Sequence, residues 1–125
     1  MVIDTSAILA LLFGEPQAEW VAGQLAAHRG ELQMSTVNLT ETLIRVRDRK
    51  QAAADDMEAK LLESGVRFVA PTVEQSRIAA EARLKLPLNL GDCFAYALAA
   101  DCNDALLTLD SDFRATDCDL VSPGL

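Results

Sequence analysis

The sequence predicts an α/β fold in which a central parallel sheet of four to five strands carries helices on both faces. Short apolar stretches of strand length alternate with longer stretches of helical length along the chain, and this alternation is typical of a parallel sheet. Half of the 125 residues are apolar, which suffices for one real core. No repeat, linker or low-complexity tract interrupts the pattern, so we expect a single domain spanning residues 1–125.

Apolar runs place the strands, and turn residues separate them from the helices. Strands are expected at residues 1–3, 32–34, 66–70 and 105–109, with a short edge strand at 119–122. Helices are expected at residues 7–13, from Glu15-Pro16 to His28, from Ser35 or Thr36 to about Lys50, at 52–64, from Pro71-Thr72 to Pro87, and from Leu90-Gly91-Asp92 to Ala100. In the third helix, the residues expected to face the core are Val37, Leu39, Leu43, Ile44 and Val46.

Charge and cysteine content narrow the possible function. The formal net charge of −8 argues against a protein that depends on general attraction to the phosphate backbone. It permits a site in which bound cations offset clustered acids, or a basic protein partner. The three cysteines form no CxxC pair and no signal peptide is visible, so we expect reduced thiols in a cytoplasmic protein. No apolar run approaches the ~20 residues of a membrane span.

Four acids occupy positions where surface acids are unusual. Asp4 follows the first strand and Asp110 follows the fourth, while Glu41 and Asp92 lie in early turns of helices. The carboxyl ends of parallel strands and the helices that follow them meet at one edge of the sheet, where ligands bind. Several carboxylates in one crevice cannot all stay ionised without a cation, and oxygen ligands favour Mg²⁺ or Mn²⁺ over Zn²⁺.

Each acid also has an ordinary structural interpretation. Asp4 could cap the first helix, and Glu41 could pair with Arg45 one helical turn later. Asp92 could be a first-turn acid favoured by the helix dipole, and Asp110 could shape a turn.

His28 is the only histidine, which excludes a two-histidine ribonuclease mechanism. No phosphate-binding glycine motif is present, so any catalysis must depend on acids and metal.

The acidic motifs resemble, in their order and spacing, those of PIN-domain ribonucleases. The matching segments are Val2-Ile3-Asp4-Thr5-Ser6-Ala7, Leu39-Thr40-Glu41-Thr42, Leu88 to Ala99 around Gly91-Asp92, and Leu107-Thr108-Leu109-Asp110-Ser111-Asp112-Phe113. The chain length is most similar to that of VapC toxins of VapBC toxin–antitoxin modules. The resemblance implies a three-layer α/β/α sandwich and Mg²⁺- or Mn²⁺-dependent cleavage of RNA. It also implies a homodimer and a cognate VapB-type antitoxin.

The resemblance assigns roles to individual residues. Asp4 and Asp92 would be the principal metal ligands, and Glu41 and Asp110 would complete the acidic cluster. Asp112 could bind metal through water or take the place of Asp110. The hydroxyl neighbours that would orient carboxylates or water are Thr5, Ser6 and Thr108. If the protein binds RNA, the cations best placed to contact it are Arg45, Arg47, Arg49 and Lys50. A cluster of cations like this one is more commonly just the solvated end of a helix.

Two other classes of function remain open at this point. A receiver-like or phosphoryl-transfer domain also places acids at strand ends, but it needs a late lysine, and the last lysine here is Lys85. A phosphatase of the haloacid-dehalogenase type would need an acid where this chain has Ser6. A PIN-like module that binds RNA or protein without catalysis usually loses acids from the cluster, and this chain keeps all four.

Overall fold

The computed structural model describes residues 1–124 and contains one five-stranded sheet. The strands are β1 (Val2–Ile3), β2 (Gln33–Ser35), β3 (Arg67–Val69), β4 (Leu106–Leu107) and β5 (Leu120–Val121). Their order across the sheet is β3-β2-β1-β4-β5, and every pairing is parallel. The prediction of a parallel sheet with four to five strands is therefore confirmed.

Six α-helices flank the sheet in the part of the chain that the structure describes. They are α1 (Thr5–Leu12), α2 (Ala18–Ala27), α3 (Thr36–Arg49), α4 (Ala54–Leu62), α5 (Val73–Lys85) and α6 (Leu90–Cys102). Two short 3₁₀ helices cover Gln51–Ala53 and Ser111–Ala115. Within residues 1–124, no helix combines the length and apolar character required to cross a membrane.

The hydrophobic core forms one cluster on each face of the sheet. Val2 and Leu106 pack into the cluster that contains residues of α5 and α6, whereas Ile3 and Leu107 pack into the cluster built on α1, α2 and α4. Successive residues of a strand point to opposite faces, so even two-residue strands contribute to both clusters. The result is the predicted three-layer α/β/α arrangement.

The second helix begins later than the sequence suggested. We expected it to start at Glu15-Pro16, but Pro16 lies in a turn in which the Ala18 N–H donates to the Glu15 carbonyl at 2.9 Å. Gly14 introduces this turn with a φ of +62°, a conformation that glycine adopts without steric penalty. The first turn of α2 is therefore Ala18 onward.

The buried face of α3 differs from the predicted one at Ile44, which is 60% exposed. The fully buried residues of this helix are Asn38, Thr42 and Val46, spaced four apart along one side. Two of them are polar, and burial is tolerated because they are hydrogen-bonded; the Thr42 hydroxyl, for example, donates to the Asn38 carbonyl at 2.8 Å. The prediction was therefore wrong at Ile44, whereas Val46 is buried and Leu39 packs against the core as expected.

The register of β1 against β4 determines where the candidate site forms. Ile3 pairs with Leu107, and the Asp4 N–H donates to the Leu107 carbonyl at 3.0 Å. The next residues, Asp4 and Thr108, therefore emerge side by side at the carboxyl edge. β1 lies at the point where the strand order reverses, since β2 and β3 continue on one side and β4 and β5 on the other. Such a reversal opens a crevice that binds ligands in α/β sheets.

Candidate active site

The four acids singled out from the sequence line one pocket at this crevice, here called the acidic pocket. Asp4 comes from the end of β1, Glu41 from α3, Asp92 from α6 and Asp110 from the segment after β4. The pocket has a volume of about 390 Å³. Its lining residues are Asp4, Thr5, Ser6, Leu9, Glu15, Gln17, Glu41, Arg45, Asn89, Asp92, Leu109 and Asp110.

Asp4 is held by two side-chain hydroxyls, one from Ser6 in the first turn of α1 and one from Thr108 directly after β4. The residue is only 2% exposed. Oδ2 accepts hydrogen bonds from Ser6 Oγ at 2.7 Å and from Thr108 Oγ1 at 2.8 Å. Although Asp4 occupies the N-cap position of α1, its side chain makes no capping hydrogen bond. Burial raises the pKa of Asp4, and the two hydroxyls oppose that rise because they stabilise the ionised form.

The hydroxyls also tie the two neighbouring strand ends together. Ser6 Oγ accepts from the Leu109 N–H at 3.0 Å, and Thr108 Oγ1 accepts from the Asp110 N–H at 3.0 Å. Ser6 Oγ and Thr108 Oγ1 lie 3.3 Å apart. Because the same hydroxyls contact Asp4 and the backbone after β4, they fix the position of that backbone relative to the carboxylate.

Glu41 is positioned through one of its two oxygens. Oε1 accepts from Thr5 Oγ1 at 2.8 Å and from Asn38 Nδ2 at 2.9 Å, while Oε2 receives neither of these bonds. Among the ion pairs within residues 1–124, none joins Glu41 to Arg45, so the helical ion pair considered from the sequence is not formed. The arrangement leaves Oε2 available to a ligand.

Gly91 provides the space in which the Glu41 carboxylate lies. A Cβ atom at position 91 would collide with both carboxylate oxygens and with the carboxyl carbon of Glu41. The Gly91 carbonyl also accepts from Asn38 Nδ2 at 2.9 Å. The absence of a side chain at Gly91 therefore allows α3 and α6 to bring their acids to the same pocket.

Asp92 lies in the first turn of α6 within a capping box. Its N–H donates to Asn89 Oδ1 at 2.8 Å, and its Oδ2 accepts from the Asn89 N–H at 3.3 Å. Burial raises the pKa of Asp92 to about 7, with a further contribution from the negative charge of Asp4 and smaller ones from Asp110 and Glu41. The carboxylates of this pocket therefore interact electrostatically, as expected for acids that share one site.

Asp110 and Asp112 are separated by the structure. Asp110 lines the acidic pocket, and its Oδ1 accepts from the Asp112 N–H at 2.9 Å. Asp112 is exposed in the 3₁₀ helix that follows and does not line the pocket. The geometry therefore favours Asp110 as the fourth acid, and the turn-shaping function considered for Asp110 is present as well.

The four predicted cations do not all lie at the acidic pocket. Arg45 lines the acidic pocket, whereas Arg47 pairs with Glu58 of α4 at 2.6 Å. The Arg49 guanidinium lies 4.5 Å from the centre of the Phe13 ring. Lys50 is exposed at the C-terminal end of α3. Among these four, only Arg45 lines the acidic pocket.

The donor set fits a hard divalent cation. All four acids offer carboxylate oxygens, which are the ligands that Mg²⁺ and Mn²⁺ prefer. Burial and repulsion between the carboxylates raise the pKa of Asp92. A bound cation would lower that pKa again. As the side chains stand within residues 1–124, no three Asp, Glu, His or Cys residues form a metal-binding group. The fit therefore depends on the chemistry and burial of the donors, and not on a ligand group that is already assembled.

Sequence reasoning missed two asparagines that support the site. Asn38 is fully buried and connects Glu41 to α6, while its own Oδ1 is buried without a hydrogen-bond partner among the described residues. Asn89 is the N-cap of α6. The spacing Asn89-x-x-Asp92 is a recognisable capping signal and could have identified Asn89. Asn38 had no comparable signal, since a polar residue in a helix is ordinarily exposed.

The chain is similar to known proteins over most of its length. The family model described as the PIN domain matches residues 1–118. A Ribonuclease VapC from Mycolicibacterium smegmatis is 36% identical, over 94% of this chain and 96% of its own. Ribonuclease VapC30 from Mycobacterium tuberculosis is 35% identical, over 98% of each chain.

Solved structures show the same fold at lower identity. VapBC2 from Rickettsia felis, bound to a DNA fragment from its promoter, has a TM-score of 0.79 at 16% identity and covers 97% of this chain and 96% of its own. VapC20 from Mycobacterium tuberculosis, described as a sarcin-ricin loop cleaving toxin, has a TM-score of 0.77 at 21% identity, covering 94% and 95%. With a family model that spans nearly the whole sequence, and relatives that match it from end to end, this chain belongs to the PIN domain family and, within it, to the VapC group.

Proposed function

We propose that this chain is an endoribonuclease and the toxin of a type II toxin–antitoxin pair. The observation that carries the proposal is the convergence of Asp4, Glu41, Asp92 and Asp110 on one pocket. The curated relatives named as VapC ribonucleases support it. The sole histidine, His28, lies at the C-terminal end of α2 and does not line the acidic pocket, whose charged lining consists of acids and Arg45.

The acidic pocket would hold Mg²⁺ or Mn²⁺ through Asp4, Asp92 and Asp110, with Glu41 completing the negative charge. Such an ion, when bound, lowers the pKa of a coordinated water and offsets charge on a phosphate. Ser6 and Thr108 hold the Asp4 carboxylate in place, and Thr5 and Asn38 hold that of Glu41. We assign Asp112 no direct contact with the ion; water-mediated binding by it stays a prediction.

The test is cleavage of single-stranded and structured RNA in Mg²⁺ or Mn²⁺. We expect the parent to cleave, and Asp4→Ala and Asp92→Ala to lose at least about a hundredfold in rate, with chelator abolishing cleavage by the parent. Lys60→Ala, whose side chain pairs with Asp56 on the exposed face of α4, is a control that should cleave normally. Cleavage that persists in both acid variants or in chelator would refute the assignment. RNA binding without cleavage in any metal would favour the non-catalytic module.

The partner that we propose is a VapB-type antitoxin. Structurally similar proteins were solved as VapBC assemblies bound to DNA and as a toxin–antitoxin complex from Klebsiella pneumoniae, with a TM-score of 0.75 at 19% identity. An apolar groove of about 650 Å³ lies between α1, α2 and α4 and includes Ile8, Leu11, Leu25 and Leu61; grooves of this type commonly accommodate an apolar helix face. The net charge of −8 suits a basic partner.

We also propose a homodimer located in the cytoplasm. All three cysteines are free thiols, which is consistent with a reducing compartment. Sedimentation equilibrium of the isolated chain tests the dimer. If the measured molecular mass is that of one chain throughout the micromolar concentration range, the homodimer is contradicted.

A further inference from the structure

A second pocket adjoins the acidic pocket and has a different character. It is lined by Leu9, Phe13, Glu15, Arg45, Asp48 and Arg49 and has a volume of about 450 Å³; we call it the Phe13 pocket. Leu9, Glu15 and Arg45 line both pockets. A ligand that occupies the acidic pocket can therefore continue into the Phe13 pocket past Arg45.

The aromatic ring in this pocket is not part of the core. Phe13 is half-buried at the end of α1 and belongs to neither of the two core clusters. Its ring lies beneath the Arg49 guanidinium, 4.5 Å away. A guanidinium above an aromatic face is a favourable cation–π contact, and the exposed guanidinium that Phe13 supports in this way offers a flat surface on which a nucleobase can stack.

The two arginines of this pocket are available to a ligand. Within residues 1–124, neither Arg45 nor Arg49 lies within ion-pair distance of a carboxylate, even though Glu15 and Asp48 line the same pocket. Arg47, on the same helix, is already paired with Glu58. Arg45 is also the one cation among the described residues that line the acidic pocket.

We propose that the Phe13 pocket binds the nucleotide next to the one cleaved in single-stranded RNA. This inference rests on the proposed ribonuclease function. The base stacks on the Arg49 guanidinium, which Phe13 holds in place, and Arg45 contacts the phosphate that joins this nucleotide to the one in the acidic pocket. Glu15 and Asp48 repel phosphate from the rest of the pocket, so that the uncharged base enters it. Aromatic stacking combined with cations along the backbone is the usual way in which proteins bind single strands.

The first test measures binding in chelator, independently of cleavage, with a fluorescent single-stranded RNA of random sequence. We expect Phe13→Ala and Arg49→Ala to raise Kd by about tenfold, Phe13→Tyr to bind as the parent does, and Phe13→Leu to behave like Phe13→Ala. Arg45→Ala should lower the dependence of affinity on salt. Arg77→Ala, an exposed arginine on α5 that lines neither pocket, is the charge-matched control and should change Kd by less than about twofold.

The second test uses an RNA that the parent cleaves, with single abasic nucleotides introduced in turn. For the parent, one abasic position beside the cleaved bond should lower kcat/KM by about tenfold, whereas Phe13→Ala should be insensitive to that same position. Thermal unfolding of each variant verifies that it is folded.

The outcomes separate the two proposals. If the parent cleaves but Phe13→Ala binds and cleaves as the parent does, the nucleotide site is refuted and the ribonuclease stands. If the Phe13 variants lose binding while the parent cleaves no RNA, the Phe13 pocket is an RNA-binding site, and both the ribonuclease and the position of that site beside a cleaved nucleotide are refuted. If Arg77→Ala loses as much RNA affinity as Arg49→Ala does, the effect is one of general charge and the nucleotide site is refuted.

Discussion

At the scale of single residues, the position of Glu41 depends on the missing side chain of Gly91. We predict that Gly91→Ala folds but lowers RNA cleavage by about tenfold or more, because the new Cβ displaces the flexible end of Glu41. Alanine is favoured over glycine inside a helix by up to ~1 kcal/mol, so stability should not fall in proportion. The measurements are thermal unfolding and cleavage rate. Gly23→Ala is the control. Gly23 lies in α2, and a Cβ atom added there would meet open space, so this variant should retain full activity.

The shared charge of the pocket predicts a pH dependence of stability centred on Asp92. Because burial raises the pKa of Asp92 to about 7, the folded protein retains this proton where the unfolded chain has lost it. The free energy of unfolding contributed by Asp92 is therefore greatest at low pH and is lost between about pH 4 and pH 7. Asp92→Asn should remove this loss and be more stable than the parent at pH 8.

Urea unfolding in chelator at pH 5 and pH 8 tests this prediction. Glu63→Gln, which changes an exposed carboxylate just after α4, should follow the parent. A decline in stability equally steep in Asp92→Asn and the parent would contradict the assignment.

Individual site residues were predictable where chemistry and position coincide. Asp4, Asp92 and Asp110 each lie beside a strand end or helix start that the sequence reveals, so their meeting at one edge followed from topology. The contribution of Asn38 did not, because it depends on the distance between α3 and α6. Similarly, the choice between Asp110 and Asp112 required the direction in which the 3₁₀ helix carries each side chain.

At the scale of elements, the first turn of α6 determines where Asp92 lies. Asn89→Ala removes the N-cap and should destabilise the protein by about 1 kcal/mol and also lower cleavage, because the Asn89 side chain positions Asp92. Thr72→Ala removes the equivalent cap of α5, where Thr72 Oγ1 accepts from the Gln75 N–H. We expect Thr72→Ala to lose similar stability in urea unfolding but little activity. Equal losses of activity in both variants would show that capping acts only through global stability.

The type and order of elements were predictable, whereas faces and boundaries were less so. Gly14, Gly30 and Gly65 end helices or turns at positive φ, as their positions suggested. The predicted start of α2 was wrong because proline is as favourable in a β-turn as in the first turn of a helix, and Pro16 lies in such a turn. The exposure of Ile44 could not be inferred from hydrophobicity, because hydrogen bonds allow the polar residues Asn38 and Thr42 to be buried on α3 while Ile44 faces solvent. The extent of the single domain to residue 125 stays a prediction.

At the scale of the whole molecule, a divalent cation in the acidic pocket should stabilise the fold. Binding to the folded state alone raises the free energy of unfolding by ~2.7 kcal/mol at a hundredfold excess over Kd. We therefore expect Mg²⁺ or Mn²⁺ to raise Tm of the parent. The rise should disappear in a variant carrying Asp4→Asn and Asp92→Asn. A rise of the same size in that double variant would locate the ion elsewhere.

The hydrogen bond from Thr108 to Asp4 has a consequence for synthesis of the protein. It joins residues 104 positions apart, and it forms only after β4, the second-to-last strand of the sheet, has paired with β1. Asp110 is also contributed after that strand. A ribosome translating this message therefore carries a chain with no assembled acidic pocket until β4 and Asp110 have emerged, and a product released before β4 lacks that pocket.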